Sequence, residues 1–117
     1  MDEAGLRALV AAWPGVEAGL KWDDDLCFTV AVKMFCVLFV GGTHAGRLSF
    51  KVEDARFLEL TDRPGIIPAP YLARAHWITL VDPGALPPSD TSALVRRAYE
   101  LVRARLPKRQ QRELADD

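Results

Sequence analysis

The amino-acid sequence predicts an α+β fold, a two-layer sandwich in which an antiparallel sheet is covered on one face by N- and C-terminal helices. Apolar residues recur at helical spacing near both ends of the chain. The segments between them have the apolar runs and alternations of β-strands, and the turns that join most of them are too short for parallel crossovers. With 117 residues, of which 50% are hydrophobic, the chain is long enough for one core. We therefore expect a single domain over residues 1–117.

The first predicted helix covers residues 2–12. Asp2 is suited to the N-cap, because its carboxylate can accept a hydrogen bond from a free backbone N–H. Leu6, Leu9 and Val10 form an apolar stripe at helical spacing. The helix should end at the Trp13-Pro14-Gly15 segment, because proline cannot continue a helix and glycine permits a turn.

Four strand-like segments follow, at residues 20–22, 26–30, 33–40 and 47–52. The third is almost continuously apolar, which is typical of a central strand buried on both faces. The fourth alternates polar and apolar residues. We expect its Leu48, Phe50 and Val52 to point into the core, and Arg47, Ser49 and Lys51 to lie on a solvent-facing side of the sheet.

The second half of the chain begins with a predicted helix at residues 53–60. The proline-rich segment 64–77 cannot be helical, because each proline removes an N–H donor and restricts its neighbour. We predict a rigid, mostly extended connection that leads into a strand at residues 77–81. The last predicted helix covers residues 90–106, with an N-cap region at Ser89-Asp90 and an end at Pro107.

Positive charge is concentrated in one part of the chain. The protein carries 15 basic and 16 acidic residues and a net charge of −1, yet residues 96–112 hold seven basic residues and only one acid. Such a segment can neutralise nucleic-acid phosphates, or it can be a solvated helix end that complements the helix dipole. The candidate binding residues here are Arg96, Arg97, Arg103, Arg105, Lys108 and Arg109.

A second candidate surface is the polar face of the sheet together with the proline-rich segment. Cations interleaved with aromatic rings suit phosphate contacts combined with base stacking, and they suit a small anion or a protein partner equally well. The alternative is a set of separately solvated cations whose aromatic neighbours pack in the core. The residues of this set are Lys21, Trp22, Lys33, Arg47, Lys51, Tyr71, Arg74, His76 and Trp77.

The sequence lacks the patterns of several other function classes. No nucleophile–base motif and no glycine-rich phosphate loop is present, so we predict no enzyme activity and no cofactor. Cys27 and Cys36 are expected to be reduced core thiols, with a disulfide or redox pair as the alternative. The Asp23-Asp24-Asp25 segment reads as a solvated turn and not as a metal site. No signal peptide or membrane-spanning run is visible, so a cytoplasmic location is expected.

The chain resembles the MmcQ/YjbR family over about residues 6–108. The resemblance rests on an ordered set of short motifs, which are Pro14-Gly-Val-Glu17, Lys21-Trp22, Lys33-Met-Phe35, Leu48-Ser-Phe-Lys51, Pro68-Ala-Pro-Tyr-Leu72, His76-Trp77 and Leu106-Pro-Lys108. It implies a small bacterial cytosolic protein with a CyaY-like (frataxin-like) sandwich, and it implies DNA binding by projecting hairpins arranged as a double wing.

From these observations we expect a binding module that contacts DNA through backbone phosphates. One alternative is a docking module for a protein partner or small anionic ligand on the sheet face and proline-rich segment. A further alternative, which the frataxin-like fold implies, is metal binding. The sequence leaves open whether the protein is a monomer or a homodimer.

Overall fold

The structure, a computed structural model, contains a six-stranded antiparallel sheet and four α-helices. It describes residues 1–115, so the last two positions of the predicted 1–117 domain lie outside the described residues. The elements in chain order are α1 (Glu3–Val10), β1 (Val16–Lys21), β2 (Asp25–Val30), β3 (Lys33–Phe39), β4 (Leu48–Lys51), α2 (Asp54–Thr61), β5 (Ile66–Pro68), β6 (Trp77–Leu80), α3 (Pro88–Arg103) and α4 (Lys108–Ala115).

The predicted fold class is confirmed. The strands lie in the order β1-β2-β3-β4-β6-β5, and every neighbouring pair is antiparallel. The apolar stripes of α1 and α3 pack on one face of this sheet, where Phe28, Phe35, Phe50, Leu6 and Tyr99 are fully buried. Removing these side chains from water supplies the main stabilisation of the fold.

The start of the chain is joined to its last long helix by a buried polar contact. The Tyr99 hydroxyl donates a 2.6 Å hydrogen bond to the Pro14 carbonyl and accepts a 3.0 Å bond from the Arg103 guanidinium. Trp13 and Phe35 pack against the Tyr99 ring at centroid distances of 5.2 and 5.5 Å. This contact fixes the chain where α1 ends and the sheet begins.

The first half of the chain follows the predicted elements with small shifts. Asp2 caps α1 as predicted, because its carboxylate accepts a 2.8 Å bond from the Gly5 N–H. The first strand begins at Val16, earlier than predicted, and it ends before Trp22, which lies in the turn. The sequence signal was weak there because Ala18 and Gly19 have low β-propensity, and pairing with β2 outweighs that propensity.

The predictions for the second half need three corrections. The proline-rich segment contains a short strand, β5, at the edge of the sheet. Pro68 is tolerated at its end, because an edge strand needs no N–H donor on its outer side. The last long helix begins at Pro88, with Pro87 and not Ser89 or Asp90 at the N-cap. This helix ends at Arg103, before the predicted end at residue 106, and a further helix, α4, follows Pro107.

The sequence predicted that the face of the sheet opposite α1 and α3 would be exposed to solvent, but this face is covered. Segment 69–76 folds back over this face, and Ser49 and Lys51 are only 4% and 8% exposed. A second apolar cluster lies there, formed by Cys27, Val37, Ala69 and Trp77. The alternation of β4 predicted the direction of these side chains correctly, but it carried no information about the distant segment that covers them.

The two cysteines are free thiols on opposite faces of the sheet. Cys27 lies opposite Val37 and Cys36 lies opposite Phe28. These are neighbouring pairs of the β2–β3 ladder, so their side chains point to opposite faces of the sheet. The disulfide that the sequence left open is not formed. Complete burial raises the pKa of the Cys36 thiol far above its ordinary value.

Candidate functional site

The strand register places several basic segments at one end of the sheet. The β2–β3 hairpin closes at the Val30–Lys33 pair, and the Cys36–Phe50 pair brings residues 33–35 level with the end of β4. Lys51 at that end lies opposite Trp77 at the start of β6. We call this the basic end. It includes the β2–β3 turn and segment 69–76.

The C-terminal helices reach the same end. The Tyr99–Pro14 hydrogen bond places the last turns of α3 beside the start of β1, which pairs with the end of β2. Gly15 lies in contact distance of Leu114, so α4 packs there too. The charge of Arg105, just after α3, is close enough to lower the pKa of Lys51. Sequence-distant cations therefore come together in space.

Cations exceed available carboxylates at the basic end. The cations contributed by residues 30–33, 51–54, 69–75 and 101–115 are Lys33, Lys51, Arg74, Arg103, Arg105, Lys108, Arg109 and Arg112. Those segments contain three carboxylates: Glu53 pairs with Arg97, Glu113 pairs with Arg109, and Asp54 contacts the His76 ring. Within residues 1–115, Lys33, Arg74 and Arg105 have no carboxylate partner within salt-bridge distance. The result is a net positive surface.

Lys51 is buried beneath the basic end and fixes the position of segment 69–76. Its ammonium group donates a 2.6 Å hydrogen bond to the Ala75 carbonyl, which holds segment 69–76 against the sheet. Burial lowers the pKa of Lys51, the nearby charge of Arg105 lowers it further, and Asp54 acts in the opposite direction. Lys51 is thus a positioning residue. It is too buried to contact a large polyanion itself.

His76 and Trp77 also hold segment 69–76 in place. His76 has a left-handed backbone, with φ of 60°, and its Nδ1 lies 2.6 Å from Asp54 Oδ1 at the start of α2. The Trp77 ring is only 5% exposed and packs in the second apolar cluster. Of the predicted aromatic set, Trp77 is therefore a core residue, whereas Tyr71 in the same segment is fully exposed at 104%.

Two exposed apolar side chains project at the basic end from strained turns. Tyr71 has φ of 67°, and Val32 at the tip of the β2–β3 turn has φ of 62° and is 84% exposed. A β-branched residue in the left-handed region is unfavourable, and such strain is concentrated at functional sites. Val32 was not among the binding residues predicted from the sequence. The signal that could have found it is the turn Ala31-Val32, which lacks the Asn or Gly such turns favour.

The predicted helix set does not act as one surface. Arg96 pairs with Glu100 at 3.2 Å and stacks 5.0 Å from the centroids of Trp13 and Tyr99. Arg97 bridges to Glu53 at 2.9 Å, and Arg109 pairs with Glu113 at 3.5 Å. Of the predicted helix set, only Arg103, Arg105, Lys108 and Arg109 lie at the basic end. The first two arginines mainly tie α3 to its neighbours.

The predicted sheet-face set does not converge either. Lys21 and Trp22 lie at the β1–β2 turn and Arg47 precedes β4, all at the opposite end of the sheet. That end is rich in acids, with Asp23 and Asp24 in the turn and Asp82 after β6. The molecule therefore has a basic end and an acidic end.

Residues 1–115 contain no group of three or more His, Cys, Asp and Glu side chains arranged to hold a metal ion. In the acidic turn, the Asp24 side chain lies against Gly41. Asp25 is the first residue of β2, where partial burial raises its pKa and the charge of Asp24 raises it further. None of the described helices is long and apolar enough to cross a membrane.

Comparison with known proteins gives consistent results. The family model described as YjbR matches residues 11–101. The crystal structure of protein DR2400 of Deinococcus radiodurans, which carries the family-model domain DUF419, superposes with a TM-score of 0.82 at 28% identity, over 96% of this chain and 86% of that one. A Pseudomonas syringae protein superposes with a TM-score of 0.70 at 20% identity, over 86% of this chain and 98% of that one. No curated protein matches the sequence.

Proposed function

The chain belongs to the YjbR family, and from the charges at its basic end we propose that it binds the phosphate backbone of DNA without reading the base sequence. The proposal is for a binding module, with no catalysis. A cytoplasmic location follows from it, because that is where the DNA of a bacterium lies. The observation that carries it is the group of cations at one end, of which Lys33, Arg74 and Arg105 have no carboxylate partner among residues 1–115.

The arrangement of charge supports a polyanion more than a small anion. The cations come from the β2–β3 turn, segment 69–76 and the region from the end of α3 into α4, so they are spread across one end of the molecule. A small anion needs several donors converging on one point, whereas a duplex presents phosphates at regular intervals along its surface. The acidic end would repel DNA, so the molecule should approach with its basic end first.

The exposed side chains Tyr71 and Val32 suit the same ligand. An apolar side chain that projects beyond neighbouring cations can enter the minor groove or pack on a sugar face while the cations hold phosphates. Lys51 and His76 fix segment 69–76 before binding, so little conformational freedom is lost when the ligand arrives.

A salt-dependent titration tests the proposal. Anisotropy of a fluorescent duplex should show micromolar binding at about 50 mM salt and a loss of roughly ten-fold or more at about 200 mM, as expected when several counterions are released. Arg74→Glu with Arg105→Glu should abolish binding. The control is Arg63→Glu with Arg47→Glu, which makes the same change in net charge away from the basic end.

Two results would overturn the proposal. One is an affinity that does not respond to salt, and the other is equal loss of binding in the test and control variants. If no duplex binds but the basic-end variants abolish binding of an acidic protein, the docking alternative from the sequence analysis would replace it.

A further inference from the structure

The outer edge of β1 is an unprotected sheet edge. β1 pairs with β2 at all six positions from Val16 to Lys21, without a register shift. No described strand pairs with its other side. Every residue of β1 after Val16 is exposed, and Leu20 is exposed to 63%. Trp22, directly after the strand, is 76% exposed. An edge of this kind offers free N–H and C=O groups to another strand.

The opposite edge of the sheet differs in each respect. β5 has three residues and ends at Pro68, and prolines also flank it at positions 64 and 70. Short length and proline are the usual means of blocking edge pairing. β1 has neither proline nor bulge, and its charged residues are limited to Glu17 and Lys21. One edge of the sheet is therefore protected against pairing with another strand, and the other edge is open to it.

The sequence of β1 is complementary to itself in one antiparallel register. Directly opposed residues in an antiparallel pair lie on the same face, so a two-fold axis must pass through a residue position. An axis at Gly19 places Glu17 of each strand opposite Lys21 of the other. It also places Ala18 of each strand opposite Leu20 of the other. Opposite charges and apolar side chains that face each other stabilise strand pairing.

The neighbouring registers lack this match. An axis at Leu20 would leave Glu17 without an opposing strand residue, and an axis at Ala18 would leave Lys21 without one. We propose that β1 pairs antiparallel with β1 of a second copy of this chain, about a two-fold axis at Gly19. The two sheets then form one continuous twelve-stranded sheet.

Charges outside the strand fit the same arrangement. Because the pairing is antiparallel, the β1–β2 turn of one copy, which contains Asp23, lies beside the start of β1 in the other. Gly15 is in contact with α4, which carries Lys108, Arg109 and Arg112. The acidic end of each copy therefore lies beside basic groups of its partner. The loop that carries Tyr71 and Arg74 joins β5 to β6, the two strands farthest from β1 in the sheet.

Sedimentation velocity of the full chain tests the proposal. The interface is small, so a monomer–dimer equilibrium should be seen between about 10 µM and about 1 mM protein and should weaken with salt. Glu17→Lys and Lys21→Glu each replace two attractive pairs with two repulsive ones and should weaken the dimer about ten-fold. The double variant restores opposite charges in exchanged positions and should recover the dimer.

Cross-linking tests the register. A Cβ at Gly19 meets nothing within 4 Å, so Gly19→Cys in a Cys27→Ala background should form an intermolecular disulfide across the axis. The control Thr43→Cys, in the loop before β4, should not. A chain that is monomeric throughout this concentration range, single charge reversals without effect, or a double variant that fails to recover the dimer would each overturn the proposal.

Discussion

The hydroxyl oxygens of Ser49 and Thr79 lie 2.7 Å apart across β4 and β6, and both residues are buried. They face away from α1 and α3, on the side that segment 69–76 covers. Each hydroxyl therefore depends on the other for a hydrogen-bond partner in a region with little water.

Removing both members of this pair should cost less than the sum of the two single removals. Thr79→Val leaves the Ser49 hydroxyl buried without its partner, and we expect it to lower the free energy of unfolding by about 1–3 kcal/mol. The double variant Ser49→Ala, Thr79→Val should cost less than the sum of the single changes. Urea unfolding of the four proteins measures this, and strictly additive values would contradict the interpretation.

Trp77 and Tyr71 belong to the same short segment but should respond very differently to truncation. Trp77→Ala empties a buried position in the second apolar cluster, and we expect a loss of about 3–5 kcal/mol. Tyr71→Ala removes a fully exposed ring and should change stability by less than about 0.5 kcal/mol. A loss below about 1 kcal/mol for Trp77→Ala would mean that the ring does not pack as described.

Gly15 should be required for the position of α4. Its φ is +76°, and a Cβ there would lie 2.2 Å from a methyl carbon of Leu114. Gly15→Ala should destabilise the protein by about 1–2 kcal/mol through backbone strain, and it should also displace α4, so that trypsin cleaves faster after Lys108 and Arg109.

The matched control is Gly46→Ala, since Gly46 has φ of +94° but open space at the Cβ position. It should show similar strain without faster cleavage in α4. Equal cleavage in both variants would indicate that Gly15 does not act through Leu114.

The buried thiol Cys36 should make stability fall in alkaline solution. Burial raises its pKa above the ordinary value of 9.0, so above pH 9 the unfolded chain releases a proton that the folded chain keeps. The free energy of unfolding then decreases with rising pH, by up to about 1.4 kcal/mol per pH unit for this one group.

Cys36→Ala should show a shallower decrease between pH 9 and 10 than the parent protein. Comparing the two proteins removes the opposite contribution of Lys51, whose lowered pKa raises stability as the pH approaches 10.5. Parallel pH profiles would contradict the expected effect. At pH 8 neither thiol should react with a thiol reagent until the protein unfolds.

Local patterns in the sequence were enough to predict the layers of the fold. The stripe of Leu6 and Val10 and the alternation of β4 each depend on neighbours within a few residues. The covering of Ser49 and Lys51 depends on segment 69–76, in which Ala75, the residue that accepts the Lys51 hydrogen bond, is 24 positions further along the chain. Periodicity contains no information on such contacts.

The same limit applies to the candidate site. The sequence showed that basic residues are concentrated after position 95. It did not show that Arg96 pairs with Glu100 and that Arg97 pairs with Glu53. Nor could it separate Arg74 and Lys33, which lie at the basic end, from Lys21 and Arg47, which do not. Strand register decides that difference, and register follows from the whole sheet.

The hydrogen bond between Tyr99 and Pro14 joins residues 85 positions apart, and this has a consequence for synthesis. A nascent chain grows from its N-terminus, so all six strands leave the ribosome before the helix that carries Tyr99. Until then the side of the sheet that includes Phe35 and Phe50 lacks its largest covering helix, although α1 and α2 have already emerged. During this interval the growing chain is an aggregation-prone intermediate and a natural client for chaperones.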